Sequence, residues 1–595
     1  MGNSIIPRVE IGTAEVYDSQ LSLSLKVIGA YNPAVHSPKV NITFTMGGET
    51  RYLPIFVQSY YQNLDLETCT IVCEYRYNLN YIFSDVIKDE PMTMQFSLLY
   101  GNDHYEDIPL ADSGEFMNDN EFEVYLDSNN GLLTLKRIHE YVPEETPFIL
   151  RAIKGAVAFL YGILVRIVGI LFIPWLIIDS FMTYLGLKTG YVSKTGRTFS
   201  RFMIDNLRVG YKAVTRLDIG RRDLKKSFAI FVSNRFKNTP IVPNRVTFLS
   251  NRRADLTGNF EDIYAVLKDD PNLDIQMHLD PQPMHRMNTR SLYRFAKLYA
   301  TSAVVIIDDF YELTTYVPKK DEVKLVQVWH ACGAFKTFGF SRLGKPGGPR
   351  QNNKNHRMYD RAIVSSSEIR RFYAEGFGIP LENVVATGVP RTDMFFDEKV
   401  KLEKQNEFYE KYPKLRDKKI ILFAPTFRGN GRLTGNYPME RFDLKKLYEE
   451  TNGEYAILVK MHPFVANPVK IPGGYEDFII DFSEDSELND LLFVTDILIT
   501  DYSSVVFEAS LLDIPMLFYA YDLSEYIATR DFYYEYEFFL PGKLTPTFPS
   551  LIAAINEQDF ETCKIDSFKR KFFDDLDGKS AERVADMIRG LLPRE

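Results

Sequence analysis

The reactive side chains of this sequence gather where its apolar runs stop. VQVWHACG reaches His330, VVATGVP runs into Arg391, Thr392 and Asp393, and ILFAP runs into Thr426 and Arg428. YAILV is followed by Lys460 and His462, and DILI by Thr500, Asp501, Ser503 and Ser504. Histidine exchanges protons near neutrality, so it suits general acid or base work. Arginine offers a planar fork to phosphate oxygens, lysine a point charge. Serine and aspartate at a strand-to-helix turn cap a helix whose first N–H groups attract an anion. Each residue also has a plainer use, as a hydrogen-bonded core histidine, a surface ion pair worth at most about 1 kcal/mol, or an ordinary cap. The case for function is positional: two of only eight histidines fall at strand ends, where open parallel sheets collect their ligands. Proton transfer beside a bound anion is the chemistry these residues suit.

The elements that must position them read as follows. Residues 1–140 hold QLSLSLKVIG, VNITFTM, CTIVCEYRY, MTMQFSLLYG and EFEVYLDS, alternating or β-branched runs with turn residues between. They predict an antiparallel sandwich. It shows no chemistry of its own, and the isolated His36 and His104 are expected to face solvent. From about 225, strand and helix alternate through RVTFLSNR, NFEDIYAVLK, LDIQMHL, TRSLYRFAKLYATS, AVVIIDD and VKLVQVWH. A second series runs RAIVSSS, ENVVATGVP, KIILFAP, YAILVKMHP, DFIIDF, DILITDYSS and PMLFYA. Two such arrays predict an α/β fold with two doubly wound domains facing a cleft, the last helix crossing back. The expected domains are 1–145 (β), 146–205 (apolar and basic), 206–385 and 386–595.

Residues 151–190 change character. From Gly155 to Ile178 only Arg166 is charged, and at about 1.5 Å per residue a helix that long reaches about 36 Å, enough for a bilayer. A transmembrane span would carry residues 1–150 outward without a visible secretory signal, and would bury Arg166 and Pro174. A core helix of such length without polar relief is unusual. The favoured expectation is a membrane-surface element kinked at Pro174, with Arg151, Lys154, Lys188, Lys194, Arg197 and Arg201 meeting anionic headgroups. The myristoylation pattern is not met. Net charge is −10, so nucleic acid is not an expected partner. Four cysteines in 595 residues make no disulfide framework. Cys69 and Cys73 share one strand face and lack the company of a zinc site. Asp269–Asp270 and Asp308–Asp309 read as turn carboxylates, so no metal is expected. Cys332, beside His330, has no visible base and is not read as a nucleophile.

VWHACGAFKTFG, VSSSEIRRFYAEGFGI, TGVPRTDMFF, ILFAPTFRGN, LVKMHP and ITDYSSVVFEASLLDIPMLFYAYDLSEY, followed by RDFYYEYEFFLPG, together resemble the CDP-glycerol glycerophosphotransferase family. These are the teichoic acid primases and polymerases of cell-wall synthesis, built on the GT-B fold. The resemblance covers roughly 245–540, with the motifs in family order, and LSNRRADLTGNFEDIYAVLK upstream fits as well. It implies transfer of glycerol phosphate or ribitol phosphate from a CDP-activated donor to an acceptor hydroxyl, releasing CMP, with no cofactor required. It implies His330 as general base and His462 as acid or hydrogen-bond donor to the phosphoryl or leaving group. Thr500, Ser503 and Ser504 would hold the pyrophosphate, with Asp501 orienting the loop. Arg391, Thr426, Arg428, Lys460 and Glu508 complete the implied donor site. The family's usual Trp-His-Gly-Thr-Pro is here Trp329-His330-Ala331-Cys332-Gly333, so the loop after the histidine differs.

The expected partners are a CDP-polyol, a lipid-linked glycopolymer acceptor and an anionic membrane surface on the cytoplasmic side, with a homo-oligomer possible. A GT-B glycosyltransferase using a nucleotide sugar shares the fold and the helix-terminus phosphate site, and is the alternative enzyme. A non-catalytic polymer-binding scaffold is the alternative from another class.

Overall fold

The computed structural model describes residues 6–138 and 221–593, apart from 36, 84–89, 102, 112–113, 346, 430–433, 466, 468 and 485–486. The apolar, basic segment at 151–201 and His36 lie outside the described residues. Among the described residues no helix is long and apolar enough to cross a membrane. The described chain forms two compact units. One holds residues 6–138, 331–353 and 364–581; the other holds 221–330, 354–363 and 582–593.

The first unit begins with the β domain. Gln20–Gly29 buries every second residue, including Leu21, Leu23, Leu25 and Val27, because its leucines alternate with serines. One sheet runs Val57–Asn63, Thr68–Asn78, Gln20–Gly29, Arg8–Tyr17, Glu115–Met117. The other runs Phe122–Asp127, Leu132–Arg137, Met92–Tyr100, Lys39–Met46, Glu49–Ile55, with Asp103–Tyr105 added beside Met92–Tyr100. Both sheets contribute to a single core, which also takes in Phe340 and Leu343 from far along the chain. Cys69 and Cys73 lie buried on one face of their strand, and all four cysteines are free. His104 does not face solvent as expected. Its Nδ1 lies 3.2 Å from Glu106 Oε1 and against the Arg371 guanidinium, and burial followed by Arg371 lowers the imidazole to about 3.

The rest of this unit carries a parallel sheet in the order Ile479–Asp481, Tyr455–Val459, Lys419–Phe423, Ile497–Thr500, Met516–Phe518, Lys543–Leu544. Its strands are apolar on both faces, as buried parallel strands are. Phe423 is in register with both Val459 and Ile499. The strand ends that carry Thr426, Lys460 and Asp501 are therefore brought level.

In the second unit Asp274–Leu279, Val242–Ser250, Ser302–Ile307, Lys324–Gln327 and Arg361–Val364 lie side by side in that order, all parallel. RAIVSSS, grouped above with the second series although it lies within the expected 206–385, thus belongs to the first array. Its Ala362 pairs with Gln327, and strand pairing, invisible in a lone apolar run, decides membership. The C-terminal helix does cross back: Val584, Ala585 and Ile588 pack with Val246, Phe248 and Val304.

Candidate active site

In the second unit, His330 ends a loop built under tension. Trp329 has φ +51°, a left-handed backbone costing on the order of 1–3 kcal/mol in a bulky residue. Three bonds hold it there. Gln327 Oε1 accepts from Trp329 N at 2.8 Å, and Asn259 Nδ2 donates to Val328 O at 2.8 Å and Trp329 O at 3.1 Å. The His330 ring lies against the Trp329 indole, centroids 4.5 Å apart. Its Nδ1 is 3.6 Å from Asp309 Oδ2. Burial raises the Asp309 carboxyl, while Arg252, 3.4 Å from the same oxygen, pulls the other way. A carboxylate on the Nδ1 side favours the proton there, leaving Nε2 to accept one. The turn reading of Asp309 overlooked this pairing across the loop. His356 was also missed. Its ring lies 6.1 Å from the Trp329 ring and 4.8 Å from Phe310, and burial lowers it to about 4, so it is neutral near pH 7.

In the first unit, Asp501 is the hub. Its Oδ1 accepts from Thr426 N at 2.7 Å and from Tyr502 N at 2.5 Å, and its Oδ2 meets Arg428 Nη1 at 3.0 Å. Arg428 also grips Asp522 with two prongs, at 2.5 and 2.9 Å. Its guanidinium lies 5.0–5.5 Å from the rings of Tyr437, Tyr502, Tyr521 and Tyr526. Burial alone would lower Arg428, but Asp501 and Asp522 outweigh it and lock the charge in place. Thr500 donates to Ala424 O at 2.7 Å. These contacts fasten two strand-end loops together. Thr426 Oγ1 is buried without a hydrogen-bond partner among the described residues.

Lys460 Nζ donates to Phe482 O at 2.8 Å and Ser483 O at 3.2 Å, bracing the neighbouring strand end. His462 Nδ1 accepts from Phe464 N at 3.1 Å, which places the neutral ring's proton on Nε2. Phe427 and Phe464 pack on that ring with centroids at 4.7 and 4.8 Å. Arg391 pairs with the buried Glu508, and Asp393 accepts from Ser580 N at 3.0 Å and Ala581 N at 2.7 Å. Cys332 is buried, its thiol pushed up first by that burial and then by Glu508, so it is no thiolate. Gly333 has φ +65°, and a Cβ there would meet the Phe507 ring at 2.1 Å. Ser503 Oγ accepts from Val505 N at 3.3 Å, while the partly exposed Ser504 precedes the short helix Val505–Leu511 with no side-chain cap bond. The opening N–H groups of that helix carry its positive end.

The structure therefore gathers Thr426, Arg428, Thr500 and Asp501 into one network, couples Arg391 to Glu508, and sets Lys460 and His462 on the adjoining strand end. His330 belongs to the other unit. The two arginines that look fit for phosphate are both engaged by carboxylates. The cation that sequence reasoning passed over is Lys336. Among the described residues no carboxylate lies at ion-pair distance from it. Its Nζ sits 5.8 Å from the Tyr526 ring, and desolvation lowers the ammonium to about 8, with Asp501 opposing and Arg530 and Arg428 adding to the fall. Its position in VWHACGAFKTFG, six residues after His330, was the available signal.

Comparison with known proteins bears on this arrangement. Residues 231–590 match the family described as CDP-Glycerol:Poly(glycerophosphate) glycerophosphotransferase. The teichoic acid poly(ribitol-phosphate) polymerase of Bacillus spizizenii W23 is 49% identical over 390 residues, 64% of this chain and 63% of that one. The ribitol-phosphate polymerase TarK of Staphylococcus aureus is 44% identical over 349 residues, 58% of this chain and 68% of that one. A glycerol-phosphate primase of Bacillus subtilis 168 is 33% identical over 332 residues, 55% of this chain and 82% of that one. The chain thus matches less than two thirds of the length of the first of these. Among solved structures, the wall teichoic acid polymerase TagF aligns with TM-score 0.52 at 24% identity, over 66% of this chain and 98% of that one. That likeness gives the paired sheets a GT-B architecture.

Proposed function

Because the chain belongs to the CDP-glycerol:poly(glycerophosphate) glycerophosphotransferase family, we propose that it transfers ribitol phosphate from a CDP-activated donor to a hydroxyl of a growing teichoic acid chain, releasing CMP. Ribitol rather than glycerol follows the relatives, since the ribitol-phosphate polymerases are 43–49% identical and the glycerol-phosphate primases 33%.

One geometric observation carries the chemistry: the His330 imidazole, backed at Nδ1 by Asp309 at 3.6 Å, keeps Nε2 for a proton. The acceptor hydroxyl loses its proton to His330 Nε2 as its oxygen bonds to the polyol-bearing phosphorus. The bond from that phosphorus to the CMP oxygen breaks, and CMP departs with the electron pair. Taken by itself, the first unit offers Lys336, the opening N–H groups of Val505–Leu511 and the Nε2–H of His462 as donors suited to the charge of a pyrophosphate and of CMP. Asp501 and Arg428 hold the loop that leads into Val505–Leu511.

The decisive assay offers CDP-ribitol, CDP-glycerol and UDP-sugars to the purified chain with a prenyl-linked acceptor, following CMP or UDP. CMP release from CDP-ribitol is expected; UDP release would instead select the glycosyltransferase reading. A scaffold would turn over none of them. The acceptor and the cytoplasmic membrane face complete the proposal, supported by the apolar, basic composition of residues 151–201. Membranes washed with carbonate or high salt should release the protein; retention until detergent would mean insertion.

A further inference from the structure

A cavity of about 540 Å³ lies within the first unit, walled by the β domain, by residues 337–345 and by the region around Glu375 and Asp531. Its size suits a small ligand, and it shares no lining residue with the donor network around Asp501. Lys39 and Lys345 both reach into it and both bind one carboxylate, Asp531. The Lys39 Nζ–Oδ1 distance is 2.7 Å, and Lys345 takes Oδ2. Burial pushes Asp531 up, but the two ammoniums more than offset this and hold it at about 2. Two ammoniums sharing one firmly ionised carboxylate keep N–H donors for a further acceptor.

Asn41 Nδ2 donates to Glu375 Oε2 within the same lining. Burial raises this carboxyl to about 7, with Ser341, Lys345, Lys39 and Arg371 pulling the other way. Near neutrality it both donates to and accepts from a hydroxyl. The nearby Glu535 is occupied by Ser37 N and Oγ at 3.1 and 2.8 Å. Tyr533 and Phe372 supply apolar wall.

These groups select among ligands. An apolar molecule would leave ammonium and carboxyl groups desolvated and unpaired, which is costly. A neutral sugar offers these ammonium donors no anionic partner, and a nucleoside diphosphate would set two phosphates beside Asp531, Glu375 and Glu535. A monoanionic phosphodiester flanked by hydroxyls and a short carbon skeleton matches all three features. We propose that this cavity binds one repeat of a polyol phosphodiester chain, its phosphate at Lys39 and Lys345 and its hydroxyls at Asn41 and Glu375. The β domain is then a hold on the polymer. A second hold keeps the chain end at high local concentration between additions, so product length, not the single transfer, depends on it. The inference rests on the reading of the acceptor as a polyol phosphate polymer.

The test uses the full chain and a synthetic ribitol-phosphate oligomer, with ribitol and inorganic phosphate as controls, read by calorimetry. Three variants separate charge from space: Lys345→Ala, Lys345→Arg, and Ser59→Trp, which places a large ring at an exposed lining position. Lys345→Ala and Ser59→Trp should each weaken oligomer binding at least tenfold, and Lys345→Arg should restore it. CMP release with a one-unit acceptor should stay unchanged while long products shorten. Equal oligomer binding by wild type, Lys345→Ala and Ser59→Trp overturns the inference, as does inorganic phosphate binding as tightly as the oligomer. The two readings fail separately: absent CDP-ribitol turnover with intact oligomer binding sinks only the proposed reaction. Normal turnover with unaffected oligomer binding sinks only the hold.

Discussion

Asp309 and Lys336 are the residues through which the proposed chemistry is most open to attack. Asp309 faces His330 Nδ1 at 3.6 Å, and a nearby negative charge raises an imidazole's basicity. Asp309→Asn should lower kcat by about 10- to 100-fold, less than the 10²–10⁴-fold expected when His330 itself is replaced. It should also move the acidic limb of kcat/KM to lower pH, because the base then deprotonates more easily. A merely structural aspartate would leave that limb in place. Lys336 predicts the opposite limb. Its ammonium, lowered to about 8, is charged below that pH and neutral above it. Affinity for the anionic donor should therefore fall as pH rises through about 8. Lys336→Ala should raise the donor KM at pH 7 and erase that dependence, while Lys336→Arg should keep affinity into the alkaline range. Donor titrations across pH 6–10 check both outcomes. Neither residue's role was legible in sequence. An Asp-Asp pair at a strand end looks like any turn, and Lys336 stands out only once Arg391 and Arg428 are seen to be engaged by carboxylates.

At the scale of elements, the strand-end loops were readable and their fastenings were not. Apolar runs such as KIILF and YAILV became buried parallel strands because such runs bounded by polar turns have few other homes. What the periodicity could not carry was partner choice. RAIV looks like a strand of either array, and only pairing with Lys324–Gln327 assigns it. Likewise Arg428 read as a phosphate cation because its type suits one, but nothing in its sequence showed that its guanidinium sits among Asp501, Asp522 and four tyrosine rings at the loop after Lys419–Phe423. Removing one member of a buried ionic network strands its partners, at about 3–5 kcal/mol. Arg428→Ala should lower stability by that order, with an earlier midpoint in urea. Arg428→Lys should recover little, since a point charge cannot replace the two-pronged grip on Asp522. A variant that kept its full midpoint and lost only donor affinity would return Arg428 to direct phosphate binding.

For the molecule as a whole, the β domain is built into the first unit and not merely joined to it. Alternation in QLSLSLKVIG made the sandwich legible, but nothing local to Phe340 or Leu343 says that they complete its core, some 200 residues beyond the last strand of that domain. Lys39 with Asp531, Asn41 with Glu375, and Glu106 with Arg371 add polar ties across the same junction. A chain lacking residues 1–138 would expose Phe340 and Leu343, each worth about 1.5–3 kcal/mol when fully buried. It would also take Asn41 from Glu375 and Glu106 from Arg371, while Arg371 kept Glu368. The truncated chain should therefore aggregate or melt well below the full one. Double replacement of Phe340 and Leu343 by alanine in the full chain should lower the melting temperature without abolishing CMP release. Calorimetry decides it: if the β domain and the sheet containing Lys419–Phe423 are coupled through this core, they melt in one transition whose midpoint shifts with either change. Two separate transitions, with the second untouched by loss of residues 1–138, would make the β domain an independent attachment and leave the cavity beneath it without a structural reason to persist.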